Sequence, residues 1–427
     1  AGYEYNPDGT VRSLSCGGLY TEYGYDADRN LTSLRTTLGS EVLADNHYRH
    51  DGNGRRVEKR QPQGLTAYAY DSMNRLSVVE YPGGKEELFY DRAGNRTRRV
   101  HNGEEELYQY DSRNRLTEHT RGGVTRKYQY DNAGNLLEDG RAVYGYDAFN
   151  RCTKVETFDG NVQVNRYDAE GLRHEMEENG ELVSFIFRGR EIVAEESEKG
   201  KIRYIRTGEL LSSDAEYART YYHYASDEMG SITHVVAGLG KEAAVTGQGN
   251  GPVLDGQGNG SVLAGQVNEL VASGDVPENS ILNRYEYDAW GNLTVCEETV
   301  PNRFRFNGQQ YDPVSQQYYL RARYYNPVIG RFTQEDTYRG DGLNLYAYCR
   351  NNPVYYVDPS GHAVISCEKA QEHMRNAIAA GQRIQDIDIK TANQLRKWYQ
   401  FKDNHDLLTP DERCLASQIG LDVKINQ

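Results

Sequence analysis

The stretch Tyr68-Ala-Tyr-Asp71-Ser-Met-Asn-Arg75-Leu76 returns twice along the chain in nearly the same form. The two further copies read Tyr108-Gln-Tyr-Asp111-Ser-Arg-Asn-Arg115-Leu116 and Tyr128-Gln-Tyr-Asp131-Asn-Ala-Gly-Asn135-Leu136. Between Asp51 and Asp131 an aspartate recurs every 20 residues, four times in succession, and related pairs add aspartates at 26, 147, 168, 227 and 288. This regularity predicts a repeat architecture.

Each unit of this repeat is typical of two short strands joined by turns. The Tyr-x-Tyr alternation favours a strand, and the following Asp is able to cap a turn with its own side chain. Such hairpins cannot bury a face alone, so they have to stack into one long sheet. We therefore predict a mainly β fold in which the hairpins curl into a hollow shell or barrel with Tyr on its inner wall.

The composition agrees with a folded repeat protein and excludes several other classes. Only 37% of the residues are hydrophobic, but the chain holds 35 Tyr, 9 Phe and 2 Trp, which disordered chains lack. No apolar run is long enough for a membrane span. The net charge of −14 argues against nucleic-acid binding by the shell, and six scattered cysteines without a CxxC pair exclude a small disulfide scaffold and a Cys-type zinc site.

Three domains are predicted from shifts in this pattern. Residues 1–300 form the repeat shell, in which the Gly-rich stretch 238–279 is a flexible insertion or, alternatively, a cross-strand element. Residues 301–362 form a second domain, and 363–427 a small α-rich unit with nine basic and nine acidic residues. Because residue 1 is Ala, we expect the chain to begin within a longer protein.

Over about residues 1–362 the sequence resembles the Rhs/YD-repeat family, and its end is similar to the Rhs-associated core domain. The matching segments are Phe306-Asn-Gly-Gln-Gln-Tyr-Asp312, Tyr318-Tyr-Leu-Arg-Ala-Arg-Tyr-Tyr325, Gly330-Arg-Phe332, Gly342-Leu-Asn-Leu-Tyr346, Asn351-Asn-Pro353 and Asp358-Pro-Ser-Gly361. The resemblance implies a hollow β-shell that is closed by the core and encloses a variable C-terminal toxin. It also implies a secreted or cell-surface protein with an immunity protein and a secretion-system component as partners.

In many members of this family the core is an aspartyl autoprotease with two Asp-Pro-x-Gly turns separated by eighteen residues. Here the second turn is intact at Asp358, and counting back across Gly340–Val357 reaches Asp336, whose turn lacks the Pro and the Gly. The resemblance implies that Asp336 and Asp358 are the catalytic pair, with one carboxyl ionised and the other protonated. It also implies that the chain is cut in the region of Gly361, His362 and Ala363. Arg331 either orients a carboxylate or packs on the aromatic residues of the shell. Equally, the second turn alone could simply close the shell.

The activity of the last 65 residues is left open by the sequence. Weak candidates for a metal-dependent nuclease are Asp386, Asp388, Lys390 and Glu372, and His373 with His405 could act as acid and base; both sets are also typical of a solvated surface. We assign no metal site and no cofactor.

Two other functions compete with that of a toxin carrier that releases its own C-terminal segment. The first is a non-enzymatic cell-surface scaffold for contact or for binding a glycan on a Tyr-rich wall, and the second is a C-terminal metal-dependent nuclease toxin.

Overall fold

The structure is a computed structural model that describes residues 1–207, 209–216, 218, 220–240, 279–338, 342–362 and 365–366. The chain divides into two compact units, Ala1–Ala370 and Gln371–Gln427, and all described residues lie in the first. Of the predicted α-rich unit, 363–427, the structure describes only residues 365–366, which form a short strand. The rest of that unit lies outside the described residues. Among the residues that are described, no helix is long and apolar enough to cross a membrane.

Two large antiparallel sheets follow the chain in strict order, each strand pairing with the next. The first sheet contains β1 (Gly2–Tyr5), β2 (Val11–Cys16), β3 (Leu19–Tyr25), β4 (Leu31–Leu38), β5 (Glu41–His50), β6 (Arg56–Gln61), β7 (Gly64–Tyr70), β8 (Leu76–Tyr81), β9 (Gly84–Tyr90), β10 (Arg96–His101), β11 (Glu104–Tyr110), β12 (Leu116–Arg121) and β13 (Val124–Lys127). The second contains β14 (Gln129–Tyr130), β15 (Leu136–Glu138), β16 (Ala142–Tyr146), β17 (Cys152–Thr157), β18 (Val162–Tyr167), β19 (Arg173–Glu178), β20 (Glu181–Arg188), β21 (Glu191–Ser197), β22 (Gly200–Arg206), β23 (Leu210–Ala215), β24 (Thr220–Ser226), β25 (Ile232–Gly240), β26 (Ile281–Tyr287) and β27 (Leu293–Glu298). The predicted mainly β fold of curling hairpins is confirmed.

Strand β25 runs to Gly240, so residues 238–240, which the sequence assigned to the insertion, belong to the sheet. Residues 241–278 of that stretch lie outside the described residues.

The Tyr-Asp pair makes the same turn at every described copy. In the turn after β7, Asp71 Oδ1 accepts the backbone N–H groups of Met73 and Arg75 at 2.9 and 3.0 Å. Equivalent bonds to the residue four positions on are formed by Asp26, Asp51, Asp91, Asp111, Asp131, Asp147, Asp168, Asp227 and Asp288. The predicted capping role of this aspartate is therefore confirmed.

A tyrosine precedes the turn aspartate in most copies of the repeat, and its contacts explain why this residue is Tyr instead of Phe. The hydroxyl of Tyr90 donates to the carbonyl of Leu76 at 2.8 Å, in the preceding repeat. Tyr70, Tyr110 and Tyr167 donate in the same way to carbonyls 14 or 15 residues back. The guanidinium of Arg75 lies 4.6 Å from the centre of the Tyr90 ring. Each tyrosine thus connects two repeats through both its ring and its hydroxyl.

Replacing Tyr90 by Phe is expected to lower the free energy of unfolding by about 1 kcal/mol, because the Leu76 carbonyl loses its donor while the ring remains in place. The midpoint of urea unfolding measures this change. Tyr20→Phe is the matched control, since Tyr20 lies on β3 with 37% of its surface exposed, and its midpoint should not move. Equal midpoints for both variants would contradict this role of the hydroxyl.

The two sheets face each other, and their inner sides are joined by apolar clusters and by buried charges. Leu19 and Leu38 of the first sheet pack with Ala225 and Val236 of the second. Glu228, in a turn of the second sheet, receives three donors from the first sheet, Tyr48, Arg56 and Lys59, at 2.8, 2.8 and 3.0 Å. Burial opposes the charge of this carboxyl, but the two cations outweigh burial and lower the pKa of Glu228 to about 2.

The described residues from Val300 to Ser366 follow the second sheet and pack against the turns of both sheets, within the same compact unit. We call them the core domain. It contains β28 (Gln310–Asp312), β29 (Gln317–Leu320), β30 (Arg323–Asn326), β31 (Arg331–Phe332), β32 (Tyr356–Val357), β33 (Ile365–Ser366) and the 3-10 turns Phe306–Gly308 and Cys349–Asn351.

Five consecutive Tyr-Asp turns bind the core domain in the same way. In each turn, the fourth residue, counted from the Asp, has a positive φ, and its backbone carbonyl accepts a hydrogen bond from the core domain. These carbonyls accept side-chain donors of the core domain at 2.6–3.0 Å: Asn74 from Asn352, Gly94 from Asn351, Asn114 from Arg331, Gly134 from Tyr346 and Asn150 from Gln334. We call these five bonds the carbonyl ladder. Because the repeat spacing places the carbonyls at regular intervals, the ladder fixes the core domain against the turn edge of the shell.

Candidate active site

The two aspartates nominated by the sequence, Asp336 and Asp358, both lie in the core domain and approach one guanidinium. Arg323 Nη2 is 2.7 Å from Asp336 Oδ2 and 3.7 Å from Asp358 Oδ2. All three side chains are at most 5% exposed. The structure thus brings the predicted pair together, although the two residues are 22 positions apart in the sequence; their catalytic role stays a prediction.

Asp358 holds the backbone of the junction that follows it. Its Oδ1 accepts the N–H groups of Ser360, Gly361 and His362 at 3.2, 2.9 and 3.2 Å. Its Oδ2 is buried and accepts no hydrogen bond from the described residues. Burial raises the pKa of Asp358 to about 6, against the opposing effects of the Arg323 guanidinium and of the hydrogen bonds from Ser360 and Gly361. This carboxyl is therefore suited to carry a proton at mildly acidic pH.

The junction passes so close to the β29–β30 turn that only glycine fits at position 361. Gly361 has a φ of +77°, and a Cβ there would lie 2.4 Å from the Leu320 carbonyl oxygen and 2.9 Å from the Arg323 nitrogen. The Gly361 carbonyl accepts a hydrogen bond from Arg323 Nε. The backbone of the junction is consequently pressed against the guanidinium that contacts both aspartates.

Asp336 receives three N–H donors although its turn lacks the Pro and Gly of the second motif. Besides Arg323, its carboxylate accepts the backbone N–H of Tyr338 at 2.8 Å and lies 2.8 Å from His362 Nδ1. The Asp336 N–H donates to the Leu345 carbonyl at 3.0 Å. These bonds position the carboxylate without the missing residues.

A cavity of about 20 Å³ is lined by Asp336 and Asp358 together with Arg323 and Tyr338, among others. A single water molecule needs about 10–15 Å³ by this measure. The space between the two carboxyls is therefore large enough for one water.

Arg331 does not orient either carboxylate, which corrects one of the two interpretations of this residue. Its guanidinium donates to the Asn114 carbonyl and lies 4.7 and 5.2 Å from the ring centres of Tyr110 and Tyr346. The packing alternative is the one that the structure has, because Arg331 reaches the shell from β31.

The arginine between the carboxyls is Arg323, which sequence reasoning missed. It packs on the Phe332 ring at 3.5 Å and also donates to the Leu345 carbonyl at 2.9 Å. No local signal distinguishes Arg323 from Arg321 or Arg331, since its role arises from contacts with residues 13 to 38 positions away.

The remaining predicted site residues lie outside the described residues. These are Ala363, Glu372, His373, Asp386, Asp388, Lys390 and His405. Within the part of the chain that the structure describes, no group of three or more His, Cys, Asp or Glu side chains is arranged to hold a metal ion.

The family model described as RHS Repeat matches residues 50–86 and 110–138. These ranges contain four of the aspartate turns described above, those of Asp51, Asp71, Asp111 and Asp131.

Relatives of known name match parts of the chain. The tRNA3(Ser)-specific nuclease WapA of Bacillus spizizenii is 31% identical over 242 residues, which is 53% of this chain and 9% of that protein. Toxin protein Tse5 of Pseudomonas aeruginosa is 39% identical over 75 residues, or 17% of this chain and 6% of that protein. Toxin subunit YenC2 of Yersinia entomophaga is 36% identical over 89 residues, 19% of this chain and 9% of that subunit. The chain thus spans less than a tenth of the length of these three relatives.

Solved structures share the fold of the chain at low sequence identity. The crystal structure of TcdB2-TccC3-TEV aligns with a TM-score of 0.57 and 17% identity, covering 84% of this chain and 19% of that one. A structure of the Photorhabdus luminescens Tc holotoxin pore aligns with a TM-score of 0.58 and 16% identity over the same shares. Most of the chain therefore shares its fold with these larger proteins.

Proposed function

Because the chain is an Rhs/YD-repeat protein of the toxin type, we propose that its shell encloses the C-terminal segment and that the core domain releases this segment by aspartyl self-cleavage. The observation that carries the proposal is the single guanidinium, that of Arg323, which contacts Asp336, Asp358 and the Gly361 carbonyl. Two carboxyls and a polarised backbone carbonyl are the parts that hydrolysis by an aspartyl dyad requires.

Within the predicted region 361–363, we propose that the bond between Gly361 and His362 is the one that is cut. Its carbonyl oxygen is held by Arg323, and its nitrogen lies 3.2 Å from Asp358 Oδ1. In the proposed reaction Asp336 takes a proton from water while the water oxygen attacks the Gly361 carbonyl carbon. The C–N bond then breaks, and the proton of Asp358 passes to the leaving nitrogen of His362.

Holding the chain's own junction in the site supplies much of the rate. Because Asp358, Gly361 and His362 belong to the same turn, the reacting groups meet without a loss of translational entropy, which is worth up to about 7–11 kcal/mol in well-oriented systems. A single turnover is sufficient for a release step.

Enclosure of the segment is supported by the way in which the core domain closes the turn edge and by the similarity to toxin proteins. Glycan binding on a Tyr-rich wall has less support, since the hydroxyls of the repeat tyrosines, such as Tyr90 and Tyr110, already donate to backbone carbonyls. An immunity protein and a secretion-system component remain predicted partners.

Intact mass spectrometry of the full chain tests the proposal. Freshly purified wild-type protein should contain a fragment of residues 362–427, whereas the Asp358→Asn and Asp336→Asn variants should stay whole. A fragment that begins at Ala363 would place the cut one bond further on. A wild-type chain that remains whole for days, like Asp358→Asn, would refute self-cleavage.

A further inference from the structure

The side chain of His362 lies on the carboxylate that the proposed reaction uses as its base. Its Nδ1 is 2.8 Å from Asp336 Oδ1, and Arg323 lies 2.7 Å from the other oxygen of the same carboxylate. The Tyr338 backbone N–H also donates to Oδ1, at 2.8 Å. Both oxygens of Asp336 therefore face N–H groups of the chain. Of the three groups named here, the imidazole is the one that ordinarily changes charge between about pH 5 and pH 8.

We propose that His362 is a positioning residue that sets the pH range of self-cleavage by holding a proton against Asp336. This inference rests on the self-cleavage proposed above. An imidazolium that donates to Asp336 stabilises the negative charge of the carboxylate and makes it a weaker acceptor for a proton from water. Once the imidazole loses its proton, Arg323 is the one cation left on the carboxylate, and Asp336 becomes the stronger base.

The carboxylate that His362 contacts lies on a cavity with other ionisable groups. Arg323 on β30 and Arg350 in the 3-10 turn Cys349–Asn351 supply positive charge there, Asp336 and Asp358 supply negative charge, and Tyr338 lines the same cavity. Arginine stays charged and tyrosine stays neutral between about pH 5 and pH 8. Among the described groups at this cavity and next to it, the carboxyls and His362 are therefore the ones to which changes of rate with pH in this range are assigned.

Two opposing requirements give the wild-type chain a bell-shaped profile. The acid, Asp358, has to be protonated, and burial raises its pKa to about 6, so the rate falls as the pH rises above that value. The base, Asp336, has to be free of the hydrogen bond from a protonated His362. The rate therefore also falls as the pH drops and His362 gains its proton. Removing the imidazole should abolish the acidic limb and leave the alkaline limb unchanged.

The experiment is the rate of fragment formation against pH, followed by intact mass after refolding the purified full chain. At about pH 5 we expect His362→Leu to cleave about ten times faster than the wild type, with no decrease of its rate below pH 6. His362→Gln keeps a neutral donor and should also lack the acidic limb. His47→Leu is the matched control, because His47 pairs with Asp45 at 3.3 Å on the surface, and its profile should equal that of the wild type.

The outcomes separate this inference from the proposed function. If the wild type and both His362 variants cleave with the same bell-shaped profile, the role of His362 is refuted while self-cleavage stands. If none of them cleaves between about pH 5 and pH 8 although circular dichroism shows them folded, both proposals fail. Cleavage by His362→Leu in conditions where the wild type stays whole would support the inference most directly.

Discussion

Arg323→Gln is expected to reduce the rate of fragment formation by about a hundredfold to a thousandfold, the usual effect of removing one donor to a developing oxyanion. The guanidinium donates to the Gly361 carbonyl and lies 2.7 Å from Asp336 and 3.7 Å from Asp358. A glutamine is too short and carries no charge, so it cannot maintain these three contacts together. The Gly361 carbonyl then loses its polarising donor, and the two carboxyls lose the cation between them.

The rate of fragment formation by intact mass, at about pH 6, measures this loss. Arg323→Lys should recover only part of the rate, because a lysine keeps the charge without the forked geometry. Arg331→Lys is the matched control, since Arg331 contacts the shell and neither aspartate. Wild-type rates in Arg323→Gln would show that the carboxyls work without a shared guanidinium.

Arg173→Met is expected to lower the free energy of unfolding by about 3–5 kcal/mol, the largest stability effect that we foresee. Arg173 on β19 and Asp312 on β28 form an ion pair in which both side chains are 0% exposed. The guanidinium also donates to the Tyr324 hydroxyl at 2.9 Å and lies 4.3 Å from the ring centre of Tyr319. Methionine fills a similar volume but leaves the Asp312 carboxylate buried without its cation.

Urea unfolding of this variant in the Asp358→Asn background measures the cost without interference from cleavage. Arg203→Met is the matched control, because Arg203 is 54% exposed and its pair with Asp214 should contribute less than about 1 kcal/mol. Adding Asp312→Leu to Arg173→Met should restore part of the loss, since the uncompensated charge is then removed. If the two single arginine variants lose the same stability, the buried pair does not anchor the core domain.

The repeat turns could be predicted from the sequence because their bonds are local. Asp71, for example, accepts hydrogen bonds from residues two and four positions on. The repeated sequence pattern therefore contains both partners of each bond. The pairing of Asp336 with Asp358 also followed from spacing, but only through a resemblance to a family.

The residues that sequence reasoning missed act across long distances along the chain. Arg323 meets Gly361 38 residues away, and Arg173 meets Asp312 139 residues away. Nothing in the neighbourhood of either arginine marks it, because arginines are frequent along the repeat, and others such as Arg75 and Arg115 pair with the aspartate of their own turn. The contact between His362 and Asp336 was missed for the same reason.

The loss of Pro and Gly after Asp336 suggested a damaged motif from the sequence. In the structure, the backbone N–H of Tyr338 and the guanidinium of Arg323 position this carboxylate. Local turn residues are therefore a poor guide to a carboxylate whose position is fixed by tertiary contacts.

The carbonyl ladder has a consequence for how proteins of this kind change in length. A repeat added or deleted between residues 74 and 150 would shift some of the five carbonyls past their partners, so the core domain would lose several bonds at once. A repeat added on the N-terminal side of residue 74 would leave every partner in place. Additional twenty-residue repeats are thus compatible with the ladder only outside the stretch beneath the core domain, which is held at a constant number of turns.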